Sequence, residues 1–151
     1  MGEVNFIVDQ MKRVYGGEAW YGSGLREILA DVTAERARAR PLTGAHTIWE
    51  ITLHIAAWMG AVRGRIEGKP VDEPEEGDWP AVEGEDEKAW KATLAKLDRA
   101  HEQLVEAVSS LSDQALKDKT AGRDHSLRFT LHGIIQHNLY HTGQIALLKK
   151  A

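Results

Sequence analysis

The chain has 151 residues, of which 42% are hydrophobic and 28% charged, and it contains no cysteine. That length is most simply one domain, residues 1–151, built around a single core. No apolar run approaches the roughly 20 residues that span a bilayer, and the first residues lack a signal-peptide pattern, so we expect a cytoplasmic protein. The absence of cysteine excludes thiolate zinc sites and cysteine nucleophiles, leaving His, Asp and Glu as strong metal ligands.

The net charge of −4 is unevenly distributed along the chain. Residues 72–88 contain nine acidic residues and one lysine, whereas the rest of the chain has 18 basic against 14 acidic residues. That balance is too mild and too scattered to indicate nucleic-acid binding. The acidic stretch is predicted to be a solvated loop that runs into a helix N-terminus, where the helix dipole favours carboxylates.

The N-terminal third of the sequence predicts one long helix and two short ones. Apolar residues recur at helical spacing from Val4 to Tyr15, and this pattern stops at Gly16 and Gly17. After a glycine-rich break, Leu25 to Val32 predicts a second, shorter helical piece. Thr33 to Arg38 adds a further turn before the next proline. We expect these short pieces to be connectors that pack on the main helices.

A second long helix is predicted over Ile48 to Glu67. Thr47 and Glu50 form a capping box, in which the threonine accepts from a free N–H of the first turn and the glutamate reaches back to the cap. The apolar face of this helix includes Ile51 and Trp58. His54 lies three residues after the first and four before the second, so its side chain is predicted to point inward.

Two more long helices follow, over Glu85 to Leu111 and over Thr130 to Lys149, and Ser112 is expected to cap a short turn between them. The last helix is predicted to start near Ser126 or Thr130. His101 occupies the apolar seam of the third long helix. His137 and His141 share an apolar stripe of the last one. We find no alternation long enough to predict a strand, so the expected fold is all-α.

Three histidines form a candidate metal site. His137 and His141 are four residues apart and therefore project from one face of their helix, about one turn apart. His54 is the third, and three imidazoles with an open fourth position are typical of a reactive zinc-type site. A single histidine on an apolar stripe is more often a hydrogen-bonded core residue, so the hypothesis depends on the three meeting.

Other polar and aromatic residues have simpler interpretations. His101 is open to two roles, a fourth ligand or a partner that hydrogen-bonds a ligand. Glu50 is placed to orient His54, but the capping box already explains it. Asp98 and Glu102 are expected on a solvated helix face. The remaining histidines are predicted in loops or outside the histidine stripe, and the aromatic residues are predicted in the core or at a pocket rim: His46, His125, His132, Trp49, Trp58, Trp79, Trp90 and Tyr140.

Two sequence motifs resemble the DinB-like (DinB/YfiT) superfamily. The first is TIWEITLHIAAW, from Thr47 to Trp58, and the second is GIIQHNLYHTGQIALLK, from Gly133 to Lys149. The likeness also covers residues 20–27 and 40–41, and so extends over nearly the whole chain. It implies an up-down-down-up four-helix bundle with short extra helices in its connections, often a homodimer. It also implies a divalent metal held by three histidines, which map onto His54, His137 and His141. Many relatives have Asp where this chain has Asn138.

The expected chemistry follows from that ligand set. Three neutral imidazoles leave a dication its full charge, so either a bound water or a bound thiol is acidified. The set suits zinc, nickel, cobalt and iron, and we expect zinc or nickel first. Characterised relatives include thiol-dependent S-transferases and a thiol-dependent isomerase.

We therefore expect a thiol S-transferase that acts on small electrophiles and uses a low-molecular-weight thiol, since the chain has no cysteine. The alternatives are a metal-dependent hydrolase, for which Glu50 and Glu102 are weak general bases, and a non-catalytic metal- or ligand-binding stress protein. We expect neither nucleic-acid nor membrane partners.

Overall fold

The computed structural model describes residues 2–151 and is all-helical, as predicted. Within these residues there are six α-helices and one 3-10 turn, and the only β pairings are two isolated bridges. The helices are α1 Glu3–Gly16, α2 Leu25–Leu29, α3 Ala34–Arg38, α4 Ile48–Ile66, α5 Glu87–Ser109 and α6 Leu127–Leu148, with the 3-10 turn at Ala115–Lys117. No helix in the described part of the chain is both long and apolar enough to cross a lipid bilayer.

Side-chain caps set where the helices begin. The predicted capping box is confirmed, because Thr47 accepts from the Glu50 backbone N–H and Glu50 accepts from the N–H of Thr47. Asp86 caps α5 and Ser126 caps α6, each by accepting from the backbone N–H of the third helical residue. The last helix starts at Leu127, directly after the first of its two predicted starts, because Ser126 satisfies its first turn. The second predicted piece ends at Leu29, three residues before Val32, and the other predicted bounds differ by two residues at most, the usual variation at helix ends.

The core lies between α1, α4, α5 and α6. α4 is its centre, since thirteen of its nineteen residues are buried and it packs on both α5 and α6. α1 closes the other side against the same two helices. Two fully buried tryptophans join α4 to α5: the Trp49 indole N–H donates to Thr93 Oγ1 at 2.9 Å, and its ring meets that of Trp90 edge-on. A helix buried on nearly every face needs no strong amphipathic pattern, which fits its mostly apolar sequence.

Polar contacts fix which helix ends lie together. Asp113, just beyond α5, accepts from the backbone N–H groups of Glu3 and Val4 and so caps α1 from a distance. Glu3 also pairs with Arg128 near the start of α6. At the opposite end, the Arg36 guanidinium donates to the carbonyls that follow the last turn of α6. These contacts hold α6, which carries two of the three histidines, at both of its ends.

Candidate metal centre

The three predicted histidines converge between α4 and α6. One ring nitrogen of each lies within 4.8 Å of the others. The Nε2 atoms of His54 and His137 are 2.9 Å apart, and the ring centroid of His141 lies 4.6 Å from both of the other rings. His54 and His141 are buried, at 5% and 6% exposure. The sequence-based expectation that these side chains meet is confirmed, and whether they hold a metal stays a prediction.

Each imidazole is oriented through its other ring nitrogen. The Nδ1 atom of His54 lies 2.5 Å from the backbone carbonyl of Asp78, that of His137 lies 3.2 Å from Asn138 Oδ1, and that of His141 lies 2.6 Å from Gln144 Oε1. Because all three partners are oxygen acceptors, each Nδ1 carries the proton and donates it. The Nε2 atoms are then left with lone pairs that face the centre of the cluster, the arrangement found around protein-bound metals.

This donor set fits a divalent transition metal. Burial, helped by the neighbouring His141 and His54, lowers the pKa of His137 to about 4, so its ring is neutral at pH 7. Burial also lowers the pKa of His141. Two neutral Nε2 lone pairs 2.9 Å apart repel each other unless a cation lies between them, and metal–nitrogen bonds of about 2.0–2.1 Å bring ligand nitrogens comparably close. His54, His137 and His141 are therefore the residues that would hold the ion.

The acidic segment before α5 forms part of this site, which the sequence did not reveal. Besides accepting from His54 through its carbonyl, Asp78 accepts from the Trp58 indole N–H at 2.7 Å through its carboxylate. The next residue, Trp79, stacks on the His54 ring with centroids 3.9 Å apart and planes 11° apart. The acidic loop is therefore not solvated throughout, because Asp78 holds two side chains of the site and Trp79 packs on His54. The only sequence signal was a tryptophan within a strongly acidic, otherwise polar stretch.

A cavity of about 490 Å³ opens beside the cluster. Its wall includes His141 and Gln144 from α6, Tyr140 at the rim, and two residues from outside that helix, His46 and Trp79. Trp79 therefore has one face on His54 and stacks on His46 as well, with centroids 3.5 Å apart. Of the two positions predicted for Trp79, the core and a pocket rim, the second agrees with this cavity wall.

His46 was assigned only to a loop, yet it forms a carboxylate–imidazole pair at the cavity. Its Nδ1 lies 3.2 Å from Glu50 Oε2, and Glu50 also accepts from Arg40 at 2.8 Å. Burial alone would raise the Glu50 pKa, but donation from the Thr47 backbone N–H, from Arg40 and from His46 outweighs it and lowers the pKa. An ionised Glu50 thus orients His46, not His54. The four-residue spacing from His46 to Glu50 was a usable signal.

His101 does not join the cluster. Its ring stacks on Tyr15 of α1, with centroids 3.8 Å apart, and it is absent from the group of converging ligand nitrogens. The open question of a fourth protein ligand is therefore answered against His101. Glu102, the other residue considered as a base, does not line any of the cavities beside the three histidines.

The protein is all-helical, and three of its imidazoles converge while their Nδ1 atoms are hydrogen-bonded on the outside of the cluster. These features place it among candidate metal-binding helical proteins. Within that class, the chain is a member of the DinB superfamily, whose sequence model matches residues 22–145. This match confirms the resemblance seen in the two histidine-bearing motifs. Comparisons with curated proteins and with solved structures found no match.

Proposed function

We propose that the chain is a metal-dependent S-transferase that joins a low-molecular-weight thiol to a small electrophile. The observation that carries this proposal is the inward-facing set of three Nε2 lone pairs beside a cavity large enough for a small substrate. A divalent metal held there would acidify a thiol bound at its remaining coordination position. Because the chain has no cysteine, the reacting sulfur must come from a cosubstrate.

The pair of His46 and Glu50 supplies the proton acceptor that the sequence seemed to lack. In the proposed reaction the thiol S–H proton passes to His46, and the sulfur forms a bond to the electrophilic carbon. The bond to the leaving group breaks: the oxygen of an opened epoxide takes the proton from His46, whereas a halide leaves as the anion and His46 releases its proton to solvent, so both charge and atoms balance. Glu50 holds the imidazole through Nδ1, and stacking on Trp79 fixes the plane of the ring.

The same pair also favours a second candidate, metal-dependent hydrolysis. A general base beside the cavity serves water as well as a thiol, and the lack of a base was the main argument against a hydrolase. The two candidates separate when each electrophile is incubated with metal-loaded protein, with and without added thiol. Turnover that requires the thiol supports the transferase, whereas turnover in buffer alone supports the hydrolase.

The central experiment measures conjugation of several thiols with alkyl and aryl halides and epoxides. We expect turnover that needs both metal and thiol, and that persists below the ordinary thiol pKa of about 8.5. His54→Ala should reduce it to the uncatalysed rate. Two outcomes would favour the non-catalytic binding protein. One is equal rates for the variant and the wild type, and the other is no turnover of any electrophile, either with a thiol or in buffer alone.

A matched pair of variants tests the proton acceptor. His46→Phe keeps an aromatic ring against Trp79 but removes the nitrogen, and we expect a loss of roughly 10²–10⁴-fold in turnover with metal content unchanged. His46→Ala should regain part of the rate when free imidazole is added. His132→Phe, a change on α6 beside Glu3 and away from the cavity, is the control and should keep the wild-type rate.

The bundle topology is part of the proposal. An up-down-down-up order is supported by the pairing of Glu3 with Arg128 near the starts of α1 and α6, and by the bond between Arg63 and Gln103 in the C-terminal halves of α4 and α5. Because the chain has no native cysteine, paired cysteines at these positions test the order by oxidation. Both pairs should cross-link, and a Glu3→Cys, Gln103→Cys combination should not.

We also propose a homodimer, formed through the outer face of α6. Leu139, Tyr140 and Leu147 are exposed there, at 37%, 65% and 63%, and their spacing places them along one side of the helix. Sedimentation should give twice the 16.8 kDa of one chain, and Leu147→Glu should reduce this to the monomer. Phe6→Glu, which adds the same charge at an exposed position of α1, is the control. A wild-type monomer at micromolar concentration would refute the dimer.

A cytoplasmic location belongs to the proposed function as well, since small thiols are kept reduced there.

A further inference from the structure

A second cleft, of about 200 Å³, opens on the other side of the three-histidine cluster. It runs between α4 and α6, and His137 is the ligand residue in its wall. Its other lining residues are mostly apolar, and one end carries a guanidinium: Trp58, Val62, Arg65, His125, Phe129, Thr130, Gly133 and Ile134. Phe129 is 66% exposed, so this cleft is open to solvent along one wall.

Among the described residues, the guanidinium of Arg65 has no carboxylate partner of its own. Its Nε donates to the backbone carbonyl of Val71 at 2.8 Å, and its Nη2 donates to that of Asp72 at 3.1 Å. Arg123 donates to the same two carbonyls and takes the Asp72 carboxylate at 2.6 Å. Two positive groups therefore share one solvent-exposed negative group. Burial and the charge of Arg123 both lower the pKa of Arg65, which indicates an uncompensated positive field at this end of the cleft.

Trp58 connects this positive end to the three histidines. Arg65 Cζ lies over the Trp58 ring, 5.6 Å from its centroid, and the His137 ring centroid is 6.2 Å from that of Trp58. The indole N–H is held by Asp78, so the ring is fixed in place. A ligand only a few bonds long can therefore lie along Trp58 with one end at Arg65 and the other at His137.

We propose that this cleft binds small carboxylates, with the acid group on Arg65 and the carbon chain against Trp58 and Phe129. The guanidinium fork matches a carboxylate in a way that carbonyl oxygens alone do not satisfy. Resting on the proposed function, the inference also names the cosubstrate: the thiol carries a carboxylate a short chain away from its sulfur. Its sulfur would lie at the three-histidine cluster, which both cavities border, so that its proton can still pass to His46, and the cavity lined by His46 is left for the electrophile.

Binding is tested first without turnover and without metal. Calorimetry on chelated protein compares phenylacetate with its neutral isostere phenylacetamide, which has the same shape but no charge. We expect the carboxylate to bind at least about tenfold more tightly, and Arg65→Gln to remove the difference. Arg63→Gln, two residues away on the same helix and paired with Gln103 instead, should keep it. Equal binding of the two compounds by the wild type would overturn the proposal.

The location of the bound ligand gives a second, independent readout. In indole N–H NMR spectra, phenylacetate should shift the Trp58 signal, assigned with Trp58→Phe, and leave the buried Trp49 and Trp90 signals in place. A shift confined to Trp79 would put the ligand in the other cavity and refute the assignment. Because Arg65 also anchors the 71–72 backbone, Arg65→Lys serves as the folded comparison, and it should keep part of the preference for the charged ligand.

The consequence for the reaction is tested with three thiols of similar size. We expect the kcat/KM of metal-loaded protein to fall in the order 3-mercaptopropionate, 2-mercaptoethanol, cysteamine, which is the order of increasing positive charge. Arg65→Gln should reduce the differences in kcat/KM between the three thiols, and the change should be in KM more than in kcat. Wild-type protein that prefers the neutral or cationic thiol refutes the cosubstrate inference. If no thiol is turned over but phenylacetate still binds through Arg65, the proposed transferase fails and the carboxylate site stands.

Discussion

Two regions of the same core place a histidine in a similar environment with different results. Burial lowers the pKa of His101 to about 4, as it does for His137. His137, however, meets two other imidazoles, whereas His101 stacks on the Tyr15 ring with the planes 9° apart. The space beside His101 and Tyr15 is about 10 Å³, too little for a ligand. A low pKa and a buried position are thus shared by a candidate metal site and a packing site.

The hydrogen-bond partners separate the two regions. At the three-histidine cluster, oxygen acceptors hold the outer Nδ1 atoms and leave the inner nitrogens without a protein donor. Around Tyr15, the phenol O–H donates to Asp98, whose carboxylate also pairs with Arg26 at 2.7 Å. In that second network, Tyr15, Asp98 and Arg26 are hydrogen-bonded to one another. Convergence of lone pairs, not burial, therefore distinguishes the candidate metal centre from the packing site.

The largest expected difference between the two regions is in metal content. His137→Ala should lose the bound metal completely, because two imidazoles cannot replace three in a site of this kind. His101→Phe should keep it, since an aromatic ring retains the stack on Tyr15. Metal analysis of protein purified without a histidine tag measures both variants. Metal retained by His137→Ala, or lost by His101→Phe, would reverse the assignment of the two regions.

Thermal stability should respond to chelation at one region only. A metal at 100 times its Kd stabilises the folded state by about 2.7 kcal/mol, which corresponds to a Tm change of roughly 5–10 °C for a chain of this length. We expect that fall on chelation in the wild type and in His101→Phe, and no change in His137→Ala. Calorimetric melts with and without chelator provide the measurement. A wild-type Tm that does not change when the chelator is added would mean that the metal is absent or only loosely held.

The dependence of stability on pH should reveal the packing region instead. His101 has a pKa near 4 when folded and about 6.5 when unfolded, mainly through burial, with Asp98 opposing and Lys12 adding to the shift. Between these values the unfolded chain binds more protons, so the free energy of unfolding decreases as the pH falls from 6.5 toward 4.

With its partial exposure taken into account, we expect His101 to account for about 1–2 kcal/mol of the stability lost between pH 7.5 and 5. Denaturant titrations of metal-free wild type and His101→Phe at both pH values measure this difference. All other groups are common to the two proteins, so their contributions cancel. An equal loss in the two proteins would mean that His101 is accessible to protons when folded.

The sequence was sufficient for the features that depend on local periodicity. Helical spacing placed all four long helices and both short ones, and the four-residue interval put His137 and His141 on one face. It failed where a long-range contact decides the outcome. Asp98 was expected on a solvated face with cations of its own helix, but it pairs with Arg26 and Tyr15 from other helices. Trp79 and His46 lie in loops, where no period predicts direction, and only the folded chain brings them to the histidines.

The smallest expected effects come from removing one outer hydrogen bond in each region. Gln144→Ala takes away the acceptor of the His141 Nδ1–H, and such partners change metal affinity by about 10–100-fold. Folding stability of the metal-free protein should hardly change in this variant.

Tyr15→Phe takes away the O–H that donates to Asp98, but Arg26 keeps that carboxylate paired, so we expect a loss of only about 1 kcal/mol in folding stability.

Tyr15→Phe should leave metal affinity at the wild-type value, because the phenyl ring still stacks on His101 and no group of the cluster is touched. Competition with a chelator of known affinity measures metal affinity, and urea unfolding measures folding stability. We expect Gln144→Ala to change only metal affinity and Tyr15→Phe to change only folding stability. A Tyr15→Phe protein with weakened metal binding would instead mean that the two regions are energetically coupled, and the small gap lined by Tyr15, His101 and Asn138 is where that coupling would pass to His137.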